Sequence, residues 1–369
     1  MAEDSQLLLA QAKKYFREAS DLTIRSRLWL AMMEEYGVIE YNADGFDANW
    51  DVVYAQPEFS QYGDDDDVTF SNHRALKQAT IDIRGYVGTD KLTLKQSLMN
   101  RGEGAIVKLL SNKAKQLVKA ARDTMAGELY VDGNATGNTN RFHGILSFMG
   151  AGTCAATDRV AKCNDTYAGL STVQANYGGT WSSDLGTGNY PNATLATDWP
   201  DGKGDSKYDF FSPILANYSS TAWPSGGTTW ADNCVDTLRA VAGWLRVNTG
   251  DEDVPVCFLL DKKMMRDFKT NRDPTLRTLV PHKASQDLGF EDVLTFEGCA
   301  LKAEYNATAG VGYAVTTSMM EMFLLTDSLF DDNDSPKKDW ETGNYLFKLH
   351  NFGNMRFQPK YFAQLKAIA

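Results

Sequence analysis

Residues 101–133 carry the pattern that most constrains how this chain can fold. At about 100° per residue, Ile106, Val107, Leu110, Ala114, Leu117, Val118, Ala121 and Met125 fall on one broad face, which predicts a single helix with that face buried. Asp132-Gly133-Asn134 offers a stop, because Gly and Asn tolerate the left-handed conformation that ends helices. A helix of this length spans roughly 45 Å, more than most single globular domains need. Its buried face must be covered by elements from distant sequence.

Lys108, Lys115, Lys119 and Arg122 recur on a second, narrow stripe of the same helix, and the plainest reading of such a stripe is a solvated face. Upstream, residues 6–36 hold two shorter helical patterns. Leu8, Ala12, Tyr15 and Phe16 share a face in the first, and Asp21 caps the second, which repeats through Ile24, Leu28, Met32 and Tyr36. Short amphipathic helices without a partner in sequence dock elsewhere, on another copy for example.

Between residues 41 and 94 the texture becomes extended. Ile81 and Ile83 alternate with Asp82 and Arg84, and Val68 and Phe70 flank Thr69, the period-two signature of strands exposed on one side. A two-stranded ribbon of this kind is marginal alone in water and needs a surface to lie on. The run Asp64 to Asp67 reads as a solvated turn, since adjacent side chains of an extended chain point apart and nothing nearby completes a ligand set.

Residues 143–230 are rich in Gly, Asn, Thr, Ser and Tyr and read as β structure with long loops. After Trp230 the pattern is α/β. Val235, Leu238, Val241, Ala242 and Leu245 stripe a helix, residues 254–260 form an apolar strand, and Asp261 caps a helix through Met264, Met265 and Phe268. Residues 345–368 alternate cleanly, with Pro359 marking a bend or an edge. Strands this long need partners from distant sequence, and the long helix is their natural layer.

The motifs of catalysis and ligand binding fail where they are tested. The stretch from Asp132 resembles a calcium loop, but its twelfth position is His143 where a bidentate Glu belongs. Gly150, Gly152 and Ala155 match a dinucleotide spacing without the helix and the acid that should follow. His73, His143, His282 and His350 sit in no metal or catalytic spacing, and there is no nucleophile elbow or phosphate loop. Five cysteines, Cys154, Cys163, Cys234, Cys257 and Cys299, include no C-x-x-C pair and read as reduced thiols. No apolar run of about eighteen residues and no basic, then apolar, leader is present, so no membrane span or signal is expected. A formal charge of −11 argues against a chain that grips nucleic acid over its whole surface.

The order of elements is then informative: a helical arm, an extended ribbon, a long helix, a loop-rich β region, an α/β domain and a returning C-terminal strand. With GYVGTDKLTLKQSLMNRGEGAIVKLL, ELYVDGN, GFEDVLTFEGCALKAEYN and NMRFQPKYFAQLKAI in these places, the chain resembles the major capsid protein of tailed bacteriophages over nearly its whole length. That resemblance implies an α+β, Hong Kong-97-type capsid fold. It would divide the chain into an N-terminal arm (1–45), an extended β-hairpin loop (46–95), a spine helix with part of a peripheral domain (96–142), a loop-rich β region (143–229), an axial α/β domain (230–330) and C-terminal peripheral strands (331–369).

The function implied is a non-enzymatic shell protein that assembles into pentamers and hexamers and encloses double-stranded DNA, with no cofactor and no membrane. Its partners would be copies of itself, a separate scaffolding protein, a portal and a decoration protein. A separate scaffold is expected because no long scaffold region precedes the arm. In such a shell Ile81, Ile83, Arg84 and Tyr86 of the ribbon become candidate subunit contacts, and so do Lys108, Lys115, Lys119 and Arg122 of the spine, facing acidic residues of a neighbour or an internal partner. Some members join subunits through a Lys to Asn isopeptide bond. Neither Lys77 nor Lys91 singles out an asparagine here, so no covalent crosslink is expected. A tail or decoration component and, more remotely, a soluble α/β enzyme with a deep polar pocket remain as alternatives.

Overall fold

The computed structural model describes residues 28–45, 47–53, 76–99, 103–150, 159–162, 165–172, 213–249, 256–271, 294–304, 306–331 and 337–368, with residues 61, 63, 64, 67, 70 and 211 singly. In chain order the first half gives α1 (Leu28–Glu35), β1 (Ile39–Glu40), β2 (Asp47–Val53), β3 (Leu76–Asp82), β4 (Arg84–Leu92), α2 (Leu94–Met99), α3 (Glu103–Glu128), β5 (Val160–Lys162), β6 (Thr166–Tyr167), β7 (Leu170–Ser171) and β8 (Ile214–Asn217). The second gives α4 (Trp230–Thr249), β9 (Val256–Asp261), α5 (Lys262–Asn271), β10 (Leu294–Phe296), β11 (Cys299–Glu304), β12 (Gly312–Thr316), β13 (Met320–Leu324), β14 (Lys337–Lys338), β15 (Tyr345–Phe357) and β16 (Ala363–Lys366). The first amphipathic pattern, through Leu8 to Phe16, lies outside the described residues, as do Cys154 and Cys163.

The chain divides into two compact units, and the spine belongs to the one formed by residues 1–48, 82–144 and 320–356. Its sheet runs β1-β13-β15-β14, with β4 also paired to β15. β1 is parallel to β13, and β4 is antiparallel to β15 from Tyr345 opposite Leu92 to Gly353 opposite Arg84. The spine α3 buries Leu110, Ala114, Leu117, Val118 and Met125 as its periodicity predicts, while Ala121 is half-buried and the side chains of Ile106 and Val107 lie outside the described residues. β4 approaches this helix closely. A Cβ on Gly88 would lie 3.2 Å from Leu117 Cδ1.

The helix is shorter than its sequence suggests. It ends at Glu128, where Tyr130 N–H donates to Gly127 O and Val131 N–H to Glu128 O, each at 3.1 Å, in a tightened last turn. Gly133 is not a left-handed stop. It is glycine because a Cβ there would meet His143 Nδ1 at 2.9 Å and Arg84 Nη1 at 3.0 Å.

The second unit, residues 49–81, 145–319 and 357–369, is built on a seven-stranded sheet in the order β10-β11-β9-β12-β16-β8-β5. β9 and β11 are parallel, as a strand, helix and strand crossover through α5 requires, and β12 lies antiparallel on the other side of β9. Phe258, Leu260, Ala314, Ala363 and Leu365 of the sheet share one apolar cluster with Leu238, Val241 and Leu245 of α4 and Met264 and Phe268 of α5. Trp230 Nε1 donates to Met264 O at 2.9 Å, which ties the start of α4 to α5. The alternating C-terminal stretch is shared between sheets: β15 pairs with β4, and after the short 3-10 turn Pro359–Tyr361 the chain enters the seven-stranded sheet as β16. β2 and β3 form a separate two-stranded sheet.

Candidate assembly surface

β4 alternates so that Arg84, Tyr86, Gly88 and Asp90 face the spine while Gly85, Val87, Thr89 and Lys91 face solvent. Three of its inward side chains, Arg84, Tyr86 and Asp90, are polar, and each is tied. Tyr86 Oη donates to Glu128 Oε2 at 2.6 Å and accepts the Phe142 N–H at 3.1 Å, with its ring edge-on to Phe142. Glu128 is only 3% exposed, and its carboxylate accepts Arg141 Nη2 at 2.6 Å and Arg141 Nε at 3.1 Å. Burial, then the Glu128 bond, drives the Tyr86 hydroxyl far above its ordinary pKa, so it stays a donor. The same carboxylate raises that of Arg141.

Arg84 acts as a clasp at the helix end. Its Nη1 donates to Gly133 O at 2.9 Å, to Asn138 O at 3.2 Å and also to Arg141 O. Burial lowers its pKa. Asp90 pairs with Lys113 of the spine at 3.1 Å. Asn354 on β15 accepts the His143 N–H at 2.9 Å and donates to Asp82 O at 2.8 Å. His143 lies between these groups, and burial, helped by the Arg84 charge, pushes its pKa down to about 4, so the ring is neutral.

The residues singled out in the sequence therefore separate into two sets. Ile81 is 2% exposed and Arg84 and Tyr86 are spent on the spine, while Ile83 is half-buried between strands. Lys108, Lys115 and Lys119 are exposed, and Arg122 is half-buried and 3.4 Å from Asp123. The stripe is thus at the surface, whereas among the ribbon candidates Ile81 is buried and Ile83, Arg84 and Tyr86 are half-buried. Sequence reading missed several of the large apolar side chains left in solvent, among them Trp340, Met99, Val87 and Leu98. A tryptophan in the polar turn KKDWETGN was the available signal.

A groove of about 120 Å³ beside the spine is lined by Leu117, Ala121, Met125, Phe330 and Leu349 among others, small and apolar beside the roughly 300–1,000 Å³ of ligand pockets. Among the described residues no group of three or more His, Cys, Asp or Glu could hold a metal, and no helix is long and apolar enough to cross a membrane. Cys234, Cys257 and Cys299 are free and buried, and burial raises the Cys257 thiol to about 12 and the Cys234 thiol to about 11.

Neither a protein-family model nor a curated protein sequence matches the chain. Solved structures do. The capsid asymmetric unit of cyanophage A-1(L) matches with a TM-score of 0.58 at 11% identity, over 91% of this chain and 92% of that one. This is a capsid-protein fold. The cyanophage P-SCSP1u capsid (TM-score 0.50, 13% identity, 90% and 86% covered) and the capsid of a native GTA particle (TM-score 0.50, 10% identity, 92% and 91% covered) share it. The mixed helix-and-sheet architecture matches the Hong Kong-97-like capsid structures, as the order of elements led us to expect.

Proposed function

We propose that the chain is the major capsid protein of a tailed bacteriophage, assembling into pentamers and hexamers of an icosahedral head that encloses double-stranded DNA. The observation that carries this reading is the likeness to the cyanophage capsid subunit over nearly the full length of both chains. A spine-backed sheet with exposed apolar and basic residues supports it. In this reading 1–45 is the arm, 46–95 the loop that lies on a neighbour, 96–142 the spine, and 230–330 the axial domain. Lys108, Lys115, Lys119 and Arg122 contact acidic residues of a neighbour or an internal protein, and Ile81 and Ile83 pack the base of the loop. A net charge of −11 lets DNA fill the shell without being bound to it.

The partners that follow are copies of the chain, a separate scaffolding protein, a portal and a decoration protein, with assembly in the host cytoplasm and no covalent crosslink. Sedimentation of the chain expressed in a bacterial cytosol, alone and with its scaffold, tests this: fast-sedimenting particles are expected, which boiling detergent separates into single chains. A tail or decoration component would instead form rings or trimers.

A further inference from the structure

One end of the spine-backed sheet carries an apolar patch on a rigid base. Between β14 and β15 the chain makes a closed turn in which Asp339 N–H donates to Asn344 O and Gly343 N–H to Asp339 O, both at 2.8 Å. Thr342 Oγ1 and the Glu341 N–H donate to the Asp339 carboxylate. At the tip of this ordered turn Trp340 is 90% exposed.

The helix α2 is fixed to the same turn. Leu94 N–H donates to Asn344 Oδ1 at 2.8 Å, and a Cβ on Gly343 would lie 3.3 Å from Leu94 Cδ2. No residue of α2 is buried, and Leu98 and Met99 are 52% and 74% exposed. Leu346 adds to the patch from β15, standing in one cross-strand row with Lys337 of β14 and Lys91 of β4. Three separate stretches of sequence thus bring apolar side chains into solvent on hydrogen-bonded backbone, which a free monomer has no reason to do.

Charge identifies the occupant. Two copies of a chain carrying −11 repel except where a surface is locally basic. Lys91, Lys95, Lys337 and Lys338, all exposed, border the patch, and Asp339 and Glu341 stand at its tip. A surface with a basic rim and an acidic tip is self-complementary around a rotation axis, since the tip of one copy meets the lysines of the next.

We infer that this patch is a contact between copies of the chain, with Trp340 as its anchor. The inference rests on the capsid reading and names residues of its interface. The test compares the full-length chain with Trp340→Ser and Leu98→Ser variants, each expressed with its scaffold. Both variants should melt within about 2 °C of the parent, because an exposed side chain contributes little to its own fold. The amount sedimenting as shells should fall about tenfold or more.

Shells formed equally well by parent and variants would overturn the inference and leave the capsid reading standing, whereas a parent that never forms shells removes the reading itself. A photo-crosslinking phenylalanine analogue in place of Trp340, in assembled particles, gives a second readout. A crosslinked peptide from this same chain supports the contact. Attachment only to scaffold, to another protein or to DNA, or to nothing, overturns it.

Discussion

The seven-stranded sheet and the spine-backed sheet solve the same packing problem by different means. The first buries Phe258, Leu260, Leu365 and their neighbours beneath two helices and keeps its apolar side chains inside. The second turns Arg84, Tyr86 and Asp90 toward its helix, secures each with a hydrogen bond or ion pair, and leaves Val87, Leu346 and Phe352 of the same strands exposed. An apolar core is complete in itself, whereas a polar, geometrically exact clamp fixes a surface and leaves that surface available to a partner. In the capsid reading the contrast separates a self-sufficient module from one that a neighbouring copy covers.

That contrast can be broken at both ends. Phe258→Ala empties the middle of the seven-stranded sheet and should cost about 3–5 kcal/mol in chemical denaturation, the largest loss of any change considered. Gly144→Ala places a Cβ 2.6 Å from Leu129 O and should cost roughly 1–3 kcal/mol by overpacking, read as a lowered melting temperature. Tyr86→Phe removes one bond to a buried carboxylate and should cost about 1–2 kcal/mol; no change in stability would mean that the polar clamp is not what holds β4.

Acid sharpens the comparison, because the clamp holds a neutral histidine and the apolar cluster holds none. The folded pKa of His143 lies below that of the unfolded chain. Its contribution is therefore intact above about pH 6.5 and lost as pH falls toward about 4. Hydrogen exchange across β4 and residues 128–144 should rise in that window, and His143→Asn should flatten the response. The smallest effect on folding is expected from neutralising Lys108, Lys115, Lys119 and Arg122, within about 0.5 kcal/mol. In the capsid reading the same change impairs assembly, and normal shells would dispose of that role for the stripe.

Much of this was legible because periodicity is a local property. The buried face of the spine from Leu110 to Met125, the stripe of α4 and the strand β9 follow directly from spacing. The end of the spine was not legible: the last turn tightens at Gly127 and Glu128, and Arg84 then gathers the carbonyls of Gly133, Asn138 and Arg141, bonds that need the tertiary fold. β8 was hidden because Ile214, Leu215 and Ala216 are buried on both faces and show no alternation. The alternation of Ile81 with Asp82 holds, with Ile81 buried and Asp82 exposed, but Arg84, read as exposed by the same period, turns inward because its hydrogen bonds to backbone carbonyls allow a polar side chain to be covered. Exposed side chains such as Trp340 leave no period at all.

The central claim is that this fold builds a shell. Negative-stain electron microscopy of the chain expressed in a bacterial cytosol, alone and with its scaffold, tests it most directly. The account predicts closed icosahedral particles, or pentamers and hexamers on the way to them. A stable monomer that never assembles under either condition would contradict it.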